Sequence, residues 1–207
     1  MSFFEECWEE REEVVYKKIF HDLGPGIYPL TNEVFGRLGA ESIDPRWLHY
    51  GVFKCSPTAD RPAWAYVTSG MSNPWEDDSQ REFSGLGTEF VMETEEEAVW
   101  AIEVLQTLSA YNILLSVGKM GDFPPLDYGH RVPLKLSESI STMLFTSPKS
   151  FPDSFNIKSG RVDLIQVVGI TPSELQFAKT NSSDDLRSLY IKSKGNLITS
   201  KNRESVV

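Results

Sequence analysis

The sequence predicts an α+β domain, a mixed sheet flanked by helices. Three observations predict it. Strand-like segments rich in Tyr, Val, Phe and Trp cluster between residues 49 and 93; a long apolar helical stretch follows to about residue 115; a segment apolar on both faces returns at 161–169. The alternation of strands and helices is too irregular for a doubly wound parallel sheet.

The first element is a helix. Ser2 stands three residues before Glu5, the spacing at which each side chain bonds the other's orphan N–H. Phe4, Trp8, Val15 and Ile19 then share a face, with Cys7 and Val14 beside them, and Glu9, Glu10, Glu12 and Glu13 cover the other side. The ordinary reading is a packed apolar stripe backed by a solvated acidic face. The sharper one turns that acidic face to a partner. Leu23-Gly24-Pro25-Gly26 ends the helix, and 27–45 reads as loop with a short helical piece.

Strands are expected at 49–55 and 64–69, with Pro57 and Pro62 bracketing their connection. Residues 70–84 are polar and read as an exposed acidic loop. A third strand spans 88–93, where Phe90 and Met92 alternate with Glu89 and Glu93, the pattern of a sheet with one wet face. Thr94 and Glu97 have the spacing of a second capping box, opening the long helix. Ala98, Ala101, Leu105, Leu108 and Leu115 give that helix one apolar face, and Trp100, Val104 and Tyr111 widen it past half the circumference, so it is covered on several sides. After a Gly/Pro-punctuated loop at 118–126, residues 128–134 form a strand that Pro133 confines to an edge or an end. Residues 143–145 are a short apolar patch before a Pro-bounded loop. The Ser159-Gly160 turn leads into 161–169, read as the central strand. Thr171-Pro172-Ser173-Glu174 starts a helix with a Thr cap, Pro at the first position and Glu at the third, and 184–191 reads as one more.

Composition narrows the function. The 207 residues carry 40% hydrophobic and 24% charged side chains, ordinary for one globular domain. With 30 acidic against 20 basic residues the net charge is -10, which disfavours nucleic acid and steers the chain towards a basic partner. Cys7 and Cys55, far apart and in no CxxC pair, fit reduced thiols in the cytoplasm rather than a disulfide scaffold. No basic leader precedes an apolar stretch, and the run 104–118 falls short of the ~20 apolar residues of a membrane span. A soluble cytoplasmic chain is expected.

Chemistry is sparse. His21, His49 and His130 lie at no ligand spacing, and neither HExxH nor a Cys/His cluster occurs, so no metal is expected. Ser84-Gly85-Leu86-Gly87 lacks the Lys of a phosphate loop and precedes a strand; it reads as a tight turn. No GxSxG elbow is present. Arg131 beside His130 has the character of an anion contact, or of a strand-end cap. No catalytic residue and no cofactor are expected.

Several segments resemble one family in order. Trp64 to Ser72 looks like its tryptophan-led strand and small-residue turn, and Ser84-Gly85-Leu86-Gly87-Thr88-Glu89-Phe90 resembles "SGxGxEL". The helix with Leu105, Leu108, Ala110 and Tyr111 is similar to one ending "LARY". Gly129-His130-Arg131-Val132-Pro133-Leu134 resembles "GHxxPL". Leu164 to Ile170 with Glu174-Leu175 resembles "LQIVGVxxxEL", and Leu197-Ile198-Thr199 with Arg203, Ser205 and Val206 resembles the closing "LIT…R.S". These are marks of the suppressor-of-fused family, covering residues 48–207, with 1–47 a divergent lead-in packed on that domain.

The resemblance implies a protein-binding fold without catalytic residues. Animal members clamp a short extended peptide near the tyrosine matched by Tyr111 and an acidic residue before the "H". Here Gly129 stands at that position, a departure that weighs against the animal peptide. Compact bacterial members are proposed immunity proteins of polymorphic toxin systems. The expected function is therefore neutralisation of a toxin domain by direct binding, or else sequestration of a peptide from a signalling or transcription partner. Tyr111, Tyr128, His130 and Arg131 are the expected contact residues.

Overall fold

The computed structural model describes residues 2–207. Its first helical segment, α1 (Phe3–Glu9), opens with the expected reciprocal Ser2–Glu5 cap. It then widens into a π-helical stretch, Glu10–Tyr16, before closing as α2 (Lys17–Phe20). The wider turn, bonded i to i+5, shifts the buried stripe away from the one that a 3.6-residue period projects. Cys7, Arg11, Glu12, Tyr16 and Phe20 face inward, while Trp8 is 46% and Val14 61% exposed. Glu12, expected on the solvated face, is buried.

Between α2 and the expected strands lie β1 (Tyr28–Pro29), α3 (Asn32–Arg37, capped by Thr31) and a 3-10 turn at Pro45–His49 capped by Asp44. The expected strands follow as β2 (Gly51–Cys55) and β3 (Trp64–Ser69). The third, β4 (Phe83–Thr94), is twice the expected length. Helix α4 (Val99–Ser116) comes next, then β5 (Arg131–Pro133), β6 (Thr142–Thr146), β7 (Ser154–Ile157), β8 (Gly160–Ile170), α5 (Pro172–Thr180) and α6 (Ser183–Lys194). The Thr171–Glu174 cap forms as expected. The Thr94–Glu97 box does not: Thr94 ends β4, its hydroxyl donates to the Glu96 carbonyl, and α4 starts at Val99 without a side-chain cap. Strand β7 lies where the sequence reads as loop.

The strands form one mixed sheet in the order β1-β2-β3-β4-β8-β6-β5. All pairs are antiparallel except β4–β8, where Thr88 to Val91 run parallel to Asp163 to Gln166. The expected central strand is indeed central. β4 lies along one edge of β8, and β6 and β7 divide the other between them.

Both faces of the sheet are covered, which is why β8 is apolar on both sides. On one face, Val52, Tyr66, Phe90, Met92, Phe145, Ile165 and Val167 pack under α4. On the other, Val67, Val91, Val162 and Leu164 meet Cys7, Tyr16 and Phe20 of the N-terminal helix, while Leu144, Val168 and Ile170 meet Ala178, Leu186 and Tyr190 of α5 and α6. The expected wet face is therefore absent: Glu89 and Glu93 are 0% and 1% exposed.

Buried charge holds the helices to that second face. Glu89 accepts from Thr68 Oγ1, Gly70 N–H, Ser72 N–H and Ser72 Oγ at 2.6–3.0 Å. Arg11 donates to Ser69 Oγ, Ser72 Oγ and Asn73 Oδ1. Residues 70–74 are consequently buried, as is Ser84 at the other end of the expected exposed loop, and only the stretch between them is open. At the far end, Glu174 takes both terminal nitrogens of Arg203 at 2.5–2.6 Å, together with Thr171 N–H, Tyr190 Oη and Val206 N–H. This clasp ties the C-terminal segment down.

Candidate protein-binding edge

Strand β5 ends the sheet, so one of its sides is unpaired. Its entry is set by a turn in which His130 N–H bonds the Asp127 carbonyl, followed by a glycine bulge. Gly129 N–H donates to the Phe145 carbonyl and Phe145 N–H donates to the His130 carbonyl. Gly129 takes φ 81°, the left-handed conformation that this bulge requires and glycine adopts without strain. Further on, Leu134 N–H donates to Ser141. Antiparallel alternation then turns the backbone of Val132 and Leu134 towards β6 and that of Arg131 and Pro133 outward. The outer side thus offers the Arg131 N–H and two carbonyls, and proline removes the other donor.

The four expected contact residues gather at this edge. Tyr111, His130 and Arg131 line a groove of about 320 Å³ with Leu115, Phe123 and Leu126. Tyr128 and Arg131 line a second groove of about 440 Å³ against the end of α5 and the start of α6. Their side chains differ in availability. The Tyr111 hydroxyl makes no hydrogen bond among the described residues. His130 Nδ1 accepts from Asp127 N–H at 3.0 Å, leaving Nε2 to carry the proton of the neutral ring. Arg131 donates to the Ala178 carbonyl at 2.7 Å in the last turn of α5, where a cation is favoured. The Tyr128 hydroxyl is spent on the Asp153 and Leu164 carbonyls, and burial, then Asp163 and Asp153, push its pKa well up. Phe123, 66% exposed, stands beside the first groove as an apolar lip.

A second concavity escaped the sequence reading. Phe4, Trp8, Ile27, His49 and Trp75 surround about 500 Å³ between the N-terminal helix and the turn after β3, with Arg11, Glu12 and Asn73 also lining it. Phe4 stacks on Trp75 at 4.2 Å. The pair Phe4/Trp8 was visible in the sequence as an i,i+4 aromatic pair, but nothing local placed Trp75 against it.

Among the described residues no group of three or more His, Cys, Asp or Glu is placed to hold a metal ion. Among the same residues no helix is long and apolar enough to cross a membrane. Cys7 and Cys55 are free and buried, and burial pushes the Cys55 thiol up to about 12.

A mixed sheet wrapped by helices on both faces, with an open terminal strand beside two grooves, defines a scaffold able to accept an extended segment. Residues 46–204 match the family model described as suppressor of fused protein, and the chain belongs to that family. Its fold is shared with solved members. The Sufu–Fu complex crystal structure matches at TM-score 0.69 and 18% identity, over 97% of this chain and 93% of that one. A SUFU homologue from Neisseria gonorrhoeae FA 1090 matches at TM-score 0.67 and 18% identity over 97% of both chains. Drosophila Suppressor of Fused matches at TM-score 0.59 and 18% identity, over 76% of this chain and 42% of that longer one. No functionally curated protein matches.

Proposed function

We propose that this chain acts by holding another protein, an extended segment of which adds as a strand to the outer side of β5. The open edge beside Tyr111, His130 and Arg131 is the observation that carries this reading: main-chain pairing supplies affinity there and the flanking grooves select side chains. A family that includes a Sufu–Fu complex supports it. The partner class we propose is a toxin domain neutralised by direct binding, its basic surface steered by the net charge of -10. Regulatory sequestration of a peptide from a signalling or transcription partner would use the same edge and is the second reading. Neither reading requires catalysis, a cofactor, nucleic acid or a membrane.

Co-expression with the product of an adjacent toxin gene tests the first reading. The chain should rescue growth and co-purify with the toxin as a stable complex. Arg131→Pro, which deletes the outward N–H, should abolish rescue, whereas Arg131→Ala should retain it in part. Unchanged rescue by a folded Arg131→Pro variant would remove the edge from the mechanism. A failure to rescue by the unaltered chain would remove the toxin.

A further inference from the structure

We infer that the segment received by β5 carries a large apolar residue followed directly by an aspartate or glutamate, whose carboxylate answers Arg131. The inference rests on strand addition at this edge and adds the partner's sequence chemistry to it. On the outer side of β5 only Arg131 offers both an N–H and a carbonyl, since Pro133 has no donor, so the register centres on Arg131. The residue opposite it in an antiparallel partner exchanges both main-chain bonds with it. Side chains of such a pair leave the sheet on the same face, and those of their neighbours leave on the other. The two faces of β5 differ in chemistry, so one register reads both.

On the Arg131 face the chemistry favours an anion. The half-buried Arg131 side chain turns towards α5, where Nη1 donates to the Ala178 carbonyl. Its Nε and Nη2 donate to nothing among the described residues, and it has no carboxylate partner there. Lys179, in the same groove, has none either, and Asp184, the one carboxylate of the lining, pairs with neither. Two unpaired cations against one acid make this groove locally positive on a chain of net charge -10. The net charge draws a partner in from a distance; the groove decides which of its residues lands here. An opposite charge directly across a strand pair stabilises it, and a like charge destabilises it. On the other face, Val132 packs towards α4 and lines one groove with Tyr111, Leu115, Phe123 and Leu126. Phe123, 66% exposed, is an apolar wall without a cover. Antiparallel order sets the residue just before the acid over Val132 and this wall, so apolar precedes acidic.

The test is NMR titration of the full chain with the capped peptide Thr-Val-Thr-Leu-Glu-Val-Thr, following the Arg131 amide by its shift and its slowed hydrogen exchange. The Arg131 N–H should become protected, which reports strand addition whatever the side chains do. Replacing Glu in the peptide by Gln should weaken binding about fivefold, the upper range of a half-exposed ion pair, and Lys should weaken it further. Replacing Leu by Ser should cost about tenfold, one apolar side chain no longer buried. Arg131→Met keeps the outward N–H and much of the stem, and should erase the preference for Glu over Gln. Because the peptide series uses the unaltered chain, the outcome stands even where that variant fails to fold. Equal affinity for the Glu, Gln and Lys peptides, with Arg131 still protected, would overturn the acidic residue and leave strand addition standing. Equal affinity when Leu and Glu exchange places would overturn the order. Protection of Arg131 by none of the peptides would overturn this inference and strand addition together.

Discussion

Removing Arg203 should unlatch the C-terminal segment and destabilise the whole domain. The side chain is 7% exposed and its partner Glu174 0% exposed, so Arg203→Ala leaves a carboxylate buried with three donors in place of five. Breaking one side of a buried pair costs about 3–5 kcal/mol. At about 2–4 °C per kcal/mol for a chain of this length, Tm should fall by roughly 6–20 °C. The Arg203→Met/Glu174→Leu double variant removes both charges and should lose less than the two single variants together, because no unpaired charge remains. Urea denaturation of the four proteins gives the coupling directly. Limited proteolysis should show cleavage within residues 196–207 only when the clasp is broken. A loss below about 1 kcal/mol for Arg203→Ala, with an unchanged denaturant slope, would refute the reasoning.

Three further outcomes are expected. Burial raises the Glu93 pKa above its ordinary value of 4.5, with Gln166 opposing, so the stability it contributes is complete below 4.5 and lost as pH rises through the folded value. Glu93→Gln should therefore melt higher than the parent at pH 7.5, with the advantage shrinking on acidification towards 4.5, as scanning calorimetry across pH will show. Gly85 has φ 55°, and a Cβ there would meet the Asn73 and Met71 carbonyls at 2.6 and 2.7 Å, so Gly85→Ala should cost about 2–4 kcal/mol in urea titrations. Gly118, also at positive φ but with open space around its Cβ position, should lose only about 1 kcal/mol on the same change. Cys7 and Cys55 should react with a thiol reagent at pH 8 only on unfolding, which an absorbance assay with and without denaturant will resolve.

Much of the fold was legible because its strongest signals are local. The Ser2 and Thr171 caps, the turn glycines and the doubly apolar β8 each announce themselves within a few residues. What the sequence hid depends on distant partners. Glu89 and Glu93 alternate with apolar residues as a wet face would, yet they are buried because Ser72, Gly70 and Gln166 arrive from elsewhere to bond them. The N-terminal stripe was misplaced because a regular helical period was carried through a stretch of wider turn. At the candidate edge, Tyr111 was expected from the family resemblance and the His130–Arg131 pair also from its own charge; with Tyr128 they lie around β5. The aromatic cleft was invisible because Trp8 and Trp75 belong to segments that meet only in three dimensions. Of the segments that carried the resemblance, Ser84, Gly85, Glu89, Glu174 and Arg203 serve the scaffold.

The parallel seam between β4 and β8 also governs how the chain reaches its final form. Thr88 must find Asp163, with α4 and three later strands between them in sequence, whereas β2, β3 and β4 are joined by short connections. Until β8 has been synthesised, the inner side of β4 presents unsatisfied amides flanked by Phe90 and Val91, an adhesive margin for any other extended chain. Assembly is accordingly slow for a chain of this length, since the loop must close before its contacts reward it. A ribosome that stalls before residue 160 releases a sticky half-sheet rather than a smaller domain.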